Sequence, residues 1–119
     1  MINADVFRGG VCNIYYYSVE GVCEVFIKCS SENIDIRVEP NNDPIYRYKV
    51  VFKRSIIGED VSISICEFYV FTEICDLNRI KKIIRARGVD DAARVIVSAV
   101  EALMPKYAST CRSKGGLKT

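Results

Sequence analysis

Apolar residues alternate with polar ones along the first part of the chain, then recur at three- and four-residue intervals from position 77 onward. The strictest alternation is Ile34-Asp35-Ile36-Arg37-Val38-Glu39, the mark of an antiparallel strand with one face buried. Segments 11–19 and 22–29 flank Glu20-Gly21, which reads as a two-residue hairpin turn with Gly supplying a positive φ. Residues 30–33 read as a polar loop, and residues 40–44 as a turn bracketed by Pro40 and Pro44. Segments 45–54 and 61–72 read as longer strands joined by a bend at Gly58.

The period then changes. Asp76 is placed to cap a helix whose apolar positions are Leu77, Ile80, Ile83 and Ile84 and which stops at Gly88. Asp90 and Asp91 open a second helix that runs to about residue 104, because Pro105 removes the next backbone hydrogen bond. The predicted fold is α+β: a five-stranded antiparallel meander sheet followed by two C-terminal helices packed on one face. Serial strands followed by helices argue against a parallel sheet. Residues 1–108 form the single domain, and residues 109–119 read as a basic, mobile C-terminal tail.

The two-residue turn fixes a register in which opposing positions sum to 41, so Cys12 faces Cys29 and Ser18 faces Cys23. Counting outward from the turn, 12:29 is a non-hydrogen-bonded pair, where side chains approach most closely, and a disulfide there is expected. Two reduced thiols packed as small apolar residues are the alternative. The same parity puts Cys12, Ile14, Tyr16, Val25, Ile27 and Cys29 on the core face. Tyr15, Tyr17, Phe26 and Lys28 then share the outer face with Arg37, Arg47, Lys49 and Lys53, and with the surface acids Glu24, Asp35 and Glu39.

Charge divides along the same line as the periodicity. Residues 1–76 carry 7 Lys/Arg against 12 Asp/Glu, whereas residues 77–119 carry 10 against 3. The first helix concentrates the excess in Arg79, Lys81, Lys82, Arg85 and Arg87, with no acid among them. Like charges at i,i+4 destabilise an isolated helix, which points to a negative partner. Aromatic rings beside cations on an open sheet suit single-stranded nucleic acid, whose bases stack while cations track phosphates. The expected function is therefore small, non-catalytic nucleic-acid binding, single-stranded DNA or RNA favoured. Phosphate contacts come from the helix cations, and base stacking from Tyr15, Tyr17 and Phe26, with Arg47 and Lys49 nearby. The rival expectation is a structural or interaction module, such as a scaffold or small viral protein, that self-associates through its helices. The second helix supports association: Arg94, Ser98 and Glu101 form one polar stripe and the rest is apolar, so a homodimer is expected.

Absences narrow the field. The chain has no His, which removes the Ser-His-Asp and Cys-His nucleophiles and the Cys₂His₂ zinc site. No enzyme activity, cofactor, metal site or small-molecule substrate is expected. Cys75, beside a helix N-terminus, is the candidate if a reactive thiol exists. Apolar runs are too short for a membrane helix, no signal peptide is read, and the expected address is the cytoplasm. Six cysteines with abundant Ile and Val and no Gln suggest a hyperthermophilic archaeon or its virus as the source.

Overall fold

The computed structural model describes residue 7 and residues 9–58, 62–104 and 109–114. Six strands form one antiparallel sheet in sequence order: β1 (Cys12–Val19), β2 (Val22–Cys29), β3 (Glu32–Pro40), β4 (Tyr48–Ile56), β5 (Ser62–Val70) and β6 (Ser109–Lys114). Two helices, α1 (Leu77–Arg87) and α2 (Val89–Glu101), come between β5 and β6 in the chain. The α+β class, the antiparallel meander and the two helices are as expected. The strand count is corrected from five to six. Residues Ser109–Lys114, expected to belong to a tail, return to the sheet and pair with β5 from Phe68 to Ile63. Positions 115–119 lie outside the described residues.

The β1–β2 hairpin follows from its turn. Glu20 and Gly21 have φ of 51° and 82°, the left-handed pair that a tight hairpin requires and that glycine adopts without strain. All eight predicted pairs form, Cys12↔Cys29 through Val19↔Val22. β3 begins at Glu32, so the loop expected over 30–33 shrinks to Ser30-Ser31. β4 begins at Tyr48, which leaves Arg47 in the exposed turn, where its carbonyl accepts the Asn41 N–H at 2.7 Å. α1 is capped as predicted, with Asp76 Oδ1 accepting the N–H groups of Asn78 (3.0 Å) and Arg79 (3.3 Å). Gly88, at φ 81°, ends it and leads directly into α2.

Parity along the strands decides the core. Val25, Ile27, Ile34, Ile36, Val38, Val50, Phe52 and Phe68 project to one face and are buried beneath the helices with Ile80, Ala93, Ile96, Val97 and Val100. α2 crosses this face from one side of the sheet to the middle. At its start Asp90 Oδ1 accepts the Cys12 N–H of β1 at 2.8 Å, and at its end Glu101 lies 3.6 Å from Arg54 of β4. Much of the apolar circumference of α2 that the sheet leaves uncovered is met by α1 of the same chain.

A charge group is buried inside this interface. Arg54 Nε donates to Glu32 Oε1 at 2.6 Å and Nη2 donates to Glu32 Oε2 at 3.2 Å. Both residues sit on the core face of adjacent strands, paired diagonally, and are almost wholly enclosed. Burial raises the Glu101 carboxyl above the usual range, and the Arg54 guanidinium pulls it back.

All six cysteines are paired: Cys12–Cys29, Cys23–Cys75 and Cys66–Cys111. The first is the predicted bond. The second ties β2 to the residue before the α1 cap, so Cys75 is not the free thiol the helix N-terminus suggested. The third fastens β6 to β5, just as the first fastens β1 to β2. Three disulfides point to an oxidising, extracellular or secretory setting and overturn the cytoplasmic address, because reducing cytosol keeps thiols free.

Two outcomes are expected. Denatured, unreduced protein should show no thiol reactive to a colorimetric reagent, and reduction should expose six. Arg54→Met should destabilise the fold by about 3–5 kcal/mol in urea unfolding by stranding a buried carboxylate, and Glu32→Leu added to it should recover most of that loss.

Candidate polyanion-binding surface

The five α1 cations predicted as a cluster are all exposed, but they do not share one environment. Arg87 Nη1 donates to Asp91 Oδ2 at 3.0 Å, one turn along and across the Gly88 break. Lys81 Nζ sits 5.9 Å from the centre of the Tyr16 ring, a cation–π contact that holds the helix against β1. Arg79, Lys82 and Arg85 have no carboxylate within ion-pair distance among the described residues. They recur every third residue along the exposed side of α1, while Ile80 on the other side is buried.

A cavity of about 410 Å³ lies between α1, α2 and the sheet, floored by Val25, Ile36 and Val38. Glu73, Asp76 and Arg79 line it too, so Arg79 shares its surroundings with two carboxylates. The excess positive charge is therefore centred on Lys82 and Arg85, further along the helix.

The predicted sheet residues lie on the opposite side of the molecule. Tyr15 and Tyr17 are exposed at 54% and 44%, and Phe26 is half-buried with its ring centre 6.5 Å from that of Tyr17. The cations near them are largely neutralised at home. Arg37 bonds Glu39 at 2.9 Å and lies 3.6 Å from Glu24, and Lys49 pairs with Glu67 at 3.6 Å. Arg112 of β6 also reaches Glu67, at 3.7 Å. The helix cations and the sheet aromatics thus do not form one continuous surface.

An acidic group that the sequence did not single out occupies the middle of this outer face. Glu24 is 5% exposed, and its Oε1 accepts a hydrogen bond from the Tyr17 hydroxyl. Asp35 stands on the next strand, with Oδ1 buried and without a hydrogen-bond partner among the described residues. Burial pushes the Asp35 carboxyl up to about 7, helped by a hydrogen bond to Glu24 and by that neighbour's charge, while Lys53 and Arg37 oppose the shift. The hydrogen bond to Glu24, then burial, also raises the Tyr17 hydroxyl above its ordinary value. Alternation alone made Glu24 and Asp35 look like ordinary surface acids; the register that sets them on neighbouring strands was the available signal.

No protein-family model, curated protein or solved structure matches this chain.

Because its folded pKa is raised, Asp35 favours folding most below pH 4, and that contribution is lost as pH rises through about 7. Asp35→Asn should therefore raise the melting temperature at pH 8, on the order of a few degrees. The gain should vanish toward pH 4, as followed by thermal denaturation across pH.

Proposed function

We propose that this protein is a non-catalytic binder of anionic polymers, with nucleic acid first among them, and that it contacts phosphates through α1. The observation that carries this reading is the row of Arg79, Lys82 and Arg85, exposed on one side of a docked helix with no carboxylate partner among the described residues. Cations that meet no carboxylate among the described residues are available to a polyanion, and binding releases its condensed counterions. The outer sheet face is not part of this contact. Glu24, Asp35 and Glu39 would oppose phosphates there, and Tyr17 already engages Glu24.

An oxidising setting also brings sulfated polysaccharides within reach of the same cations, since sulfate and phosphate present similar oxygen shells. The test is fluorescence anisotropy with labelled single-stranded DNA, single-stranded RNA and heparin in parallel. For the single strands the slope of log K against log salt should be about −2, as expected for three phosphate contacts. Lys82→Glu with Arg85→Glu should weaken binding more than tenfold, whereas Arg87→Ala should change it little. Heparin binding alone would assign the site to sulfated polysaccharide. Failure of all three ligands at low salt removes the reading.

A further inference from the structure

We propose that β1 is a homodimer interface, in which two copies pair their β1 strands antiparallel about a two-fold axis and join their sheets edge to edge. The proposal does not depend on what α1 binds.

Among the described residues the sheet order leaves β1 with one neighbour, β2. Val19↔Val22 closes the two-residue turn and is a hydrogen-bonded pair, so Tyr17, Tyr15 and Asn13 bond to β2. The N–H and C=O groups of Ser18, Tyr16, Ile14 and Cys12 then point away from the sheet. Two contacts agree with this parity. Val11 C=O accepts the Ser30 N–H at 3.0 Å on the β2 side, and the Cys12 N–H turns outward to Asp90 at 2.8 Å. Among the described residues nothing meets the outward main-chain groups of Ile14, Tyr16 and Ser18.

Proteins guard such edges with charge, proline, a bulge, brevity or a covering helix. β1 has none of the first four, and α2 meets its outward main chain at the Cys12 end, through Asp90. Its sequence Cys-Asn-Ile-Tyr-Tyr-Tyr-Ser-Val is eight residues without a charge or a proline, and its register with β2 is unbroken. The opposite edge, β6, is six residues long and contains Arg112 and Lys114. Among the described residues one edge is thus protected and the other is open from Ile14 to Ser18, with Tyr15, Tyr17 and Val19 exposed along it.

The occupant is a second copy because the strand complements itself. Centring the axis on Tyr16 makes Ile14 and Ser18 a hydrogen-bonded pair and Tyr16 bond its own counterpart. Tyr15 then opposes Tyr17 at non-hydrogen-bonded positions, where aromatic cross-strand pairs each contribute about 0.2–1 kcal/mol. Within the two paired β1 strands no charge faces a like charge. The Cys12–Cys29 bond holds the strand in its extended shape beforehand, which lowers the ordering cost of association. A two-fold axis normal to the sheet also keeps both α1 helices on the same side.

The test combines sedimentation equilibrium with hydrogen exchange on the intact chain. The wild-type protein should sediment at twice the monomer mass at micromolar concentration. Exchange at Ile14, Tyr16 and Ser18 should slow as concentration rises, while Tyr15 and Tyr17 stay protected throughout by their bonds to β2. Ser18→Pro removes an outward N–H without touching the β2 ladder and should weaken the dimer at least tenfold; Ser18→Thr should not. A monomer at all concentrations, a dimer in which those three amides exchange freely, or a Ser18→Pro dimer of undiminished affinity would each overturn the proposal.

Discussion

The position of α1 depends on the bond between Cys23 and Cys75. The helix has a narrow apolar side with one buried residue, Ile80, and with Leu77 and Ile84 half-buried against the core; the rest leans on α2 and on the Lys81–Tyr16 contact. Its like charges oppose helix formation in isolation. The covalent tie from β2 to the residue beside Asp76 fixes where the cap forms, and the cap fixes the rotation of the first turn. The side of α1 turned to solvent, and with it Lys82 and Arg85, is a consequence of that attachment.

The helical layer is registered a second way, through charge. Arg54 and Glu32 come from neighbouring strands and Glu101 from the end of α2, so the guanidinium is shared between layers. An apolar interface tolerates sliding, because one aliphatic contact replaces another. A buried cation does not, because displacement of either carboxylate leaves charge in a medium that cannot solvate it. With Asp90 on the Cys12 N–H at the other end, α2 is pinned at both termini.

Much of this was legible in the chain, and the exceptions share a cause. The hairpin register, the Cys12–Cys29 bond, the Asp76 cap and the Gly88 stop are local, set by residues a few positions apart. Cys23–Cys75 and Cys66–Cys111 join residues 52 and 45 positions apart and depend on where helices land and where the chain returns. β6 reads as a tail because Ser-Thr-Cys-Arg-Ser-Lys has no apolar alternation; an edge strand is recruited by main-chain hydrogen bonds and a disulfide instead. Glu32 reads as a loop residue and Arg54 as a strand end because a charge at a core-facing position shows its partner only in three dimensions. The cation cluster on α1 was visible in sequence. The pairing of Arg87 with Asp91 across a helix break, and the separation of the helix from the sheet aromatics, were not.

Both outermost strands are stapled to their inner neighbours, β1 through Cys12–Cys29 and β6 through Cys66–Cys111. Neither can peel off to complete another copy's sheet, so strand exchange is closed to the oxidised molecule. Any assembly it forms must add to the finished monomer rather than borrow from it, and only a reductant would unlock the entangled alternatives.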